Sequence, residues 1–89
     1  MPEIALTVRN KVGLHARPAA LFVQTAKRFS CDIKVTHDER EANAKSILNV
    51  LTLGANQGAV LTIHAEGDEA EQALAALEAL VEDNFGEEE

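Results

Sequence analysis

His15, Arg17 and Pro18 lie within one short string, Asn10-Lys-Val-Gly-Leu-His-Ala-Arg-Pro-Ala-Ala20, and their types and spacing suit one kind of chemistry. Gly13 precedes the histidine, and an alanine-rich pattern of helical period follows it. That arrangement sets an imidazole at the opening turn of a helix with a guanidinium beside it. The first turn of a helix carries N–H groups without intrahelical partners and a partial positive charge, so it favours an anion. Imidazole is substantially neutral near pH 7 and therefore nucleophilic. His15 is read as a phosphoryl acceptor and donor, with the product phosphate held by the backbone amide of Ala16 and by Arg17. Such helix-end interactions are worth roughly 0.3–1 kcal/mol when exposed and up to ~2 when partly buried, enough to bias a site without trapping its guest. Position alone also fits an exposed loop histidine next to a solvated arginine.

The other chemistry-bearing residues are fewer. Ser46 directly precedes Ile47-Leu-Asn-Val-Leu-Thr-Leu53 and Gly54, so it reads first as a helix N-cap, with Gly54 closing the helix. A phosphate on Ser46 would sit well on that helix end yet put about two negative charges beside Ile47 and Leu48. Ile47, Leu48 and Leu51 make an apolar stripe that fits either burial or, if exposed, a docking patch. His37 and His64 read as surface residues, at a strand end and on the outer sheet face. No ligand spacing joins the histidines into a metal site. Cys31 shares a face with Ile33 and Val35 and reads as a core thiol.

The elements that must position these groups follow from periodicity. Ile4, Leu6 and Val8 alternate with polar or small residues, a half-buried strand. Ala19, Phe22, Val23 and Ala26 recur at one helix face from Ala16 onward. Pro18 fits a first turn, and its bias on the preceding residue predicts that Arg17 belongs to the cap, outside the helix body. Lys27 and Arg28 suit the helix's C-terminal end. Cys31, Ile33 and Val35 alternate in a second strand. His37-Asp38-Glu39-Arg40 is a turn, and Glu41 to Ala44 a short third strand. Leu61, Ile63 and Ala65 mark a fourth. Asp68, with Glu71 three residues later, predicts a capping box opening the last helix, whose apolar face is Ala70, Ala73, Leu74, Leu77, Leu80 and Val81. The order β-α-β-β-α-β-α, with strands wet on one side, predicts an α+β open-faced sandwich: a four-stranded antiparallel sheet with three helices on one face.

Composition narrows the functional classes. The chain has 89 residues, one domain's worth, spanning 1–89 with a frayed acidic tail at its end. A net charge of −7 disfavours nucleic acid and anionic membranes as partners. The single cysteine excludes an internal disulfide, and a reducing compartment fits. The start carries neither a basic n-region nor an apolar h-region, and no apolar run approaches a membrane span. The expectation is a cytoplasmic protein, monomeric, with no cofactor and no metal.

The strings Gly13-Leu-His-Ala-Arg-Pro-Ala19, Ala44-Lys-Ser-Ile-Leu48 and Leu53-Gly54 resemble the HPr family, the histidine-containing phosphocarriers of the bacterial sugar phosphotransferase system. The likeness runs from about residue 4 to about residue 84. It implies that His15 is phosphorylated on Nδ1 by enzyme I, which draws on phosphoenolpyruvate, and that the group passes to the IIA domains of sugar permeases. Such a protein is a carrier and not an enzyme in the usual sense. The resemblance matches Arg17 to the arginine attending the phosphate. It matches Ala20, Gln24, Lys27, Ile47, Leu48 and Leu51 to the partner-docking face. It matches Ser46 to a serine that a dedicated kinase phosphorylates in many members for carbon catabolite control, which adds HPr kinase/phosphorylase and a catabolite-control transcription factor to the implied partners. A regulatory module acting through phosphorylated Ser46, or a carrier of a nitrogen-related branch, are the alternatives. Ala20 stands where members often carry Thr, the hairpin at Asp38–Arg40 lacks a common glycine, and the acidic tail is unusual.

Overall fold

The computed structural model describes residues 2–11 and 13–86. Its elements run β1 (Glu3–Thr7), α1 (Ala16–Ala26), β2 (Asp32–His37), β3 (Arg40–Asn43), α2 (Ile47–Leu51), β4 (Val60–Glu66) and α3 (Ala70–Glu82), then a single 3-10 turn (Asn84–Gly86). The order is the one the periodicity predicts. Every adjacent pair in the sheet is antiparallel, in the spatial order β1-β4-β2-β3. Because β4 lies between them, β1 and β2 are parallel to each other, and α1 must cross the sheet to join them.

Register decides which side is dry. Leu6 pairs with Leu61, Ile63 with both Ile4 and Val35, and Val35 with Ala42, so these residues share one face of the pleat. All but Ile4 are buried. The helices lay Ala19, Phe22, Val23 and Ala26 of α1, Val50 of α2, and Ala73, Leu74, Leu77 and Val81 of α3 into the same core. Fully burying one side chain of the size of Phe22 or Leu77 contributes about 1.5–3 kcal/mol before entropy is counted. Cys31 is 2% exposed and belongs to this core.

Several boundaries differ from the sequence expectation, each for a local reason. β3 is Arg40–Asn43, one residue earlier than the predicted 41–44. The connection to β2 is a two-residue turn at Asp38 and Glu39, and Asp38 takes the left-handed conformation at φ 54°. Asp tolerates that region, so no glycine is needed. α2 ends at Leu51 with Thr52 as its cap, two residues short of the expected 53; Gly54, at φ 62°, lies beyond it. Arg17 is inside the helix and not in the cap. Pro18 and Ala19 are buried, and that packing overrides the local bias that proline imposes on its predecessor.

The predicted capping box at Asp68 does not form. α3 begins at Ala70 with Glu69 in the cap position, left-handed at φ 67° and without a side-chain cap bond. The Glu69 carboxylate is committed elsewhere: Oε1 accepts from the Ser30 amide at 3.0 Å and from the Ser30 hydroxyl at 2.9 Å. Of the predicted frayed tail, Glu87–Glu89 lie outside the described residues, whereas Phe85 just before it is buried.

Candidate functional site

The approach to α1 is stitched in place from three sides. Val8 continues the β1–β4 pairing, donating to the Ala59 carbonyl at 2.9 Å and accepting from Gly58 at 2.8 Å. Asn10 is fully buried; its Nδ2 donates to the Gly13 carbonyl at 2.7 Å, and its own carbonyl accepts from the Gly13 amide at 3.1 Å. The Leu14 amide donates to the Ala55 carbonyl at 2.8 Å, and the Leu14 side chain is buried. Gly13 has φ 72°, and a Cβ there would collide with the backbone of Ala55 and Asn56. A glycine is therefore required twice over, by conformation and by space. Asn10 and Ala55 escaped the sequence reading. A loop asparagine three residues before a glycine is a signal for a local turn, but nothing in the string shows that it is buried.

His15 is the N-cap of α1, in extended conformation at φ −80° and ψ −175°. Its carbonyl accepts the first helical bond, from Ala19 at 3.0 Å. Its amide donates back to Gly13 at 3.0 Å. Ala16 and Arg17 occupy the next two positions, whose N–H groups precede the helical ladder, and Pro18 has none to offer. The residue as a whole is half-buried, and the ring nitrogen Nε2 is enclosed. Ala16 and Arg17 are exposed. His15, Ala16 and Arg17 thus follow one another where the helix opens.

From Arg17 the outer face of α1 continues through Ala20, Gln24 and Lys27, spaced three, four and three residues apart and so aligned along one stripe. Gln24 and Lys27 are exposed and Ala20 is half-buried. α1 and α2 pack against each other. On α2, Ile47, Leu48 and Leu51 are 38%, 73% and 36% exposed while Val50 is buried, so the stripe faces out and does not fill the core. Ser46 caps α2, its hydroxyl accepting from the Asn49 amide at 3.4 Å and from Asn49 Nδ2 at 3.2 Å.

Charge is uneven along the chain. Residues 4–31 contain Arg9, Lys11, Arg17, Lys27 and Arg28 and no Asp or Glu; the rest of the chain holds three cations and fifteen carboxylates. A basic segment on an otherwise acidic molecule orients it toward an acidic surface before contact.

The remaining histidines lie apart from this site. His64, on the outer sheet face as expected, has Nε2 3.8 Å from Glu3 Oε2. His37 is not the surface residue expected: its side chain is 17% exposed and Nδ1 lies 3.1 Å from the Leu53 carbonyl. Among the described residues no three His, Cys, Asp or Glu are grouped to hold a metal ion, and no helix is long and apolar enough to cross a membrane.

Comparison with known proteins agrees with this geometry. The family model described as "PTS HPr component phosphorylation site" matches residues 2–83. A phosphocarrier protein HPr of Xylella fastidiosa is 44% identical over 87 residues, 98% of each chain. The HPr-like protein Crh of Halalkalibacterium halodurans is 43% identical over 82 residues, covering 92% of this chain and 98% of the relative. The crystal structure of HPr-C-His from Thermoanaerobacter tengcongensis superposes with a TM-score of 0.96 at 53% identity over 100% of both chains. A histidine at a helix mouth, an open-faced sandwich and these relatives agree: the chain belongs to the HPr family of phosphotransferase-system phosphocarriers.

Proposed function

We propose that His15 accepts a phosphoryl group from phospho-enzyme I on Nδ1 and passes it to the IIA domains of sugar permeases. The observation that carries the reading is the place of His15 as N-cap of an eleven-residue helix, beside the Ala16 and Arg17 amides that precede the helical ladder. The Nδ1 lone pair attacks phosphorus, the bond from phosphorus to the donor breaks, and the N–P bond forms. Onward transfer reverses these roles with the acceptor as nucleophile. The Ala16 and Arg17 amides and the Arg17 guanidinium stabilise the phosphate dianion, and no covalent work is asked of them. The protein's own histidine is the intermediate in this relay. The exposed stripe of α1 with Ile47, Leu48 and Leu51 is the surface that docks partners. A cytoplasmic monomer fits this role.

Ser46 is the proposed point of regulation, by an HPr kinase/phosphorylase and with a catabolite-control transcription factor as the reader. Its hydroxyl acts on α2 only as an acceptor from Asn49. Phosphate oxygens accept too, so the cap survives modification while about two negative charges arrive beside exposed Ile47 and Leu48.

Incubation with phosphoenolpyruvate and enzyme I tests the carrier role. The expected product is an acid-labile, base-stable phosphate on the intact protein and none on His15→Ala. No labelling of the intact protein, or labelling that survives the substitution, overturns it.

A further inference from the structure

The five-residue α2 is too short to persist by its own hydrogen bonds, yet it carries Leu48, the most exposed large apolar residue among the described residues. What holds its C-terminal end can be followed carbonyl by carbonyl. Leu48 and Asn49 are bonded by the Thr52 amide, Val50 by Leu53 and Leu51 by Gly54. The next two carbonyls have left the helix and are met from a different element. Arg40 Nη1 donates to the Thr52 carbonyl at 2.7 Å, and His37 Nδ1 lies 3.1 Å from the Leu53 carbonyl. A carbonyl only accepts, so the proton is on His37 Nδ1. These two residues face each other across the β2–β3 hairpin as the last register pair before its turn. A rigid sheet end therefore grips successive carbonyls where α2 finishes.

We propose that His37 and Arg40 are positioning residues for partner docking: they fix the pose of α2, and with it Leu48, without themselves taking part in phosphoryl transfer. The proposal rests on the docking role of the Ile47, Leu48 and Leu51 face. The charged, directional contact from Arg40 and the half-buried one from His37 hold a backbone segment that its own ladder does not secure.

The test is steady-state transfer from phospho-enzyme I to the full chain, with His37→Phe, Arg40→Met and the double variant, alongside Leu48→Asp. The expected result for the double variant is a KM for this protein raised about three- to tenfold with kcat within about twofold of the parent. Amide exchange at Thr52, Leu53 and Gly54 should quicken while Ala19, in α1, keeps its rate. Arg40→Lys should recover part of the KM. If the double variant does not fold, the two single variants carry the same measurements with smaller changes. An unchanged KM in folded variants overturns the positioning role if Leu48→Asp still raises KM. If Leu48→Asp leaves KM unchanged as well, the docking reading itself fails. A raised KM with unaltered exchange at Gly54 also overturns the proposal, since direct contact with the partner would then explain the loss.

Discussion

Gly13 lies so close to Ala55 that a single added methyl group would overlap the Ala55 carbonyl oxygen, the same oxygen that accepts the Leu14 amide at 2.8 Å. The loop that delivers His15 to the helix mouth is thus pressed against the loop between α2 and β4. Gly13→Ala should cost about 2–5 kcal/mol, from left-handed strain and overpacking together. Thermal unfolding should show a midpoint lower by more than about 8 °C. A shift of less than about 2 °C would mean that the two loops separate freely.

Arg17 is exposed at the mouth of α1. Its substitution therefore separates chemistry from stability. A charge-assisted contact to phosphate is worth about 1.5–3 kcal/mol, so Arg17→Ala should slow phosphoryl transfer roughly 10–100-fold. The unfolding midpoint should stay within about 2 °C of the parent. Equal transfer rates would remove Arg17 from the site.

Ser46 makes two separable contributions. Ser46→Ala loses the acceptor for the Asn49 amide and should cost about 1 kcal/mol in chemical denaturation. Ser46→Asp keeps an acceptor at the cap, so stability should change little, while its charge beside Ile47 and Leu48 should raise KM for transfer from enzyme I. Unchanged transfer kinetics in Ser46→Asp would count against regulation through this surface.

Glu69 links pH to the seam between α1 and α3. The Ser30 backbone N–H, then the Ser30 hydroxyl, holds its carboxyl below the ordinary glutamate value, with a smaller contribution from Lys45. Lys45 itself donates to the Phe29 carbonyl at 2.7 Å, next to Ser30. A lowered folded-state value means that the unfolded chain binds the proton more readily. The contribution is complete above the unfolded-state value of about 4.3 and is lost as pH falls through the lower folded-state value. The stability gap between the parent and Glu69→Gln should therefore be widest near neutrality and close as pH falls through the lowered folded-state value. A gap constant with pH would show that the charge has no part in the bond.

How much of this was legible beforehand differs from element to element. Alternation in Ile33-Lys-Val35 and Leu61-Thr-Ile63 marks strands because a pleat puts every second residue on the core side, and those residues are buried. Phe22, Val23 and Ala26 mark a helix face for the matching reason at a period of 3.6. The helix start was legible for a related reason: His15, Ala16 and Arg17 are consecutive, so their place at the opening turn needs no help from distant residues.

Contacts between residues far apart in the chain had no local trace. Glu69 takes the cap position in place of the predicted Asp68, and its carboxylate bonds Ser30, 39 positions away, because chain closure brings that amide and hydroxyl within reach. His37 turns inward to a carbonyl 16 residues on, and Leu14 docks on Ala55. The sequence by itself determined the order of the elements, the dry face of each and the residues at the helix mouth, since each depends on periodicity or adjacency. Only the tertiary structure decided how α2 is gripped, which side of its stripe is exposed, and what presses the histidine loop into place. Those outcomes depend on which backbone groups remain unpaired after the elements have packed, and pairing across such separations is a property of the folded chain.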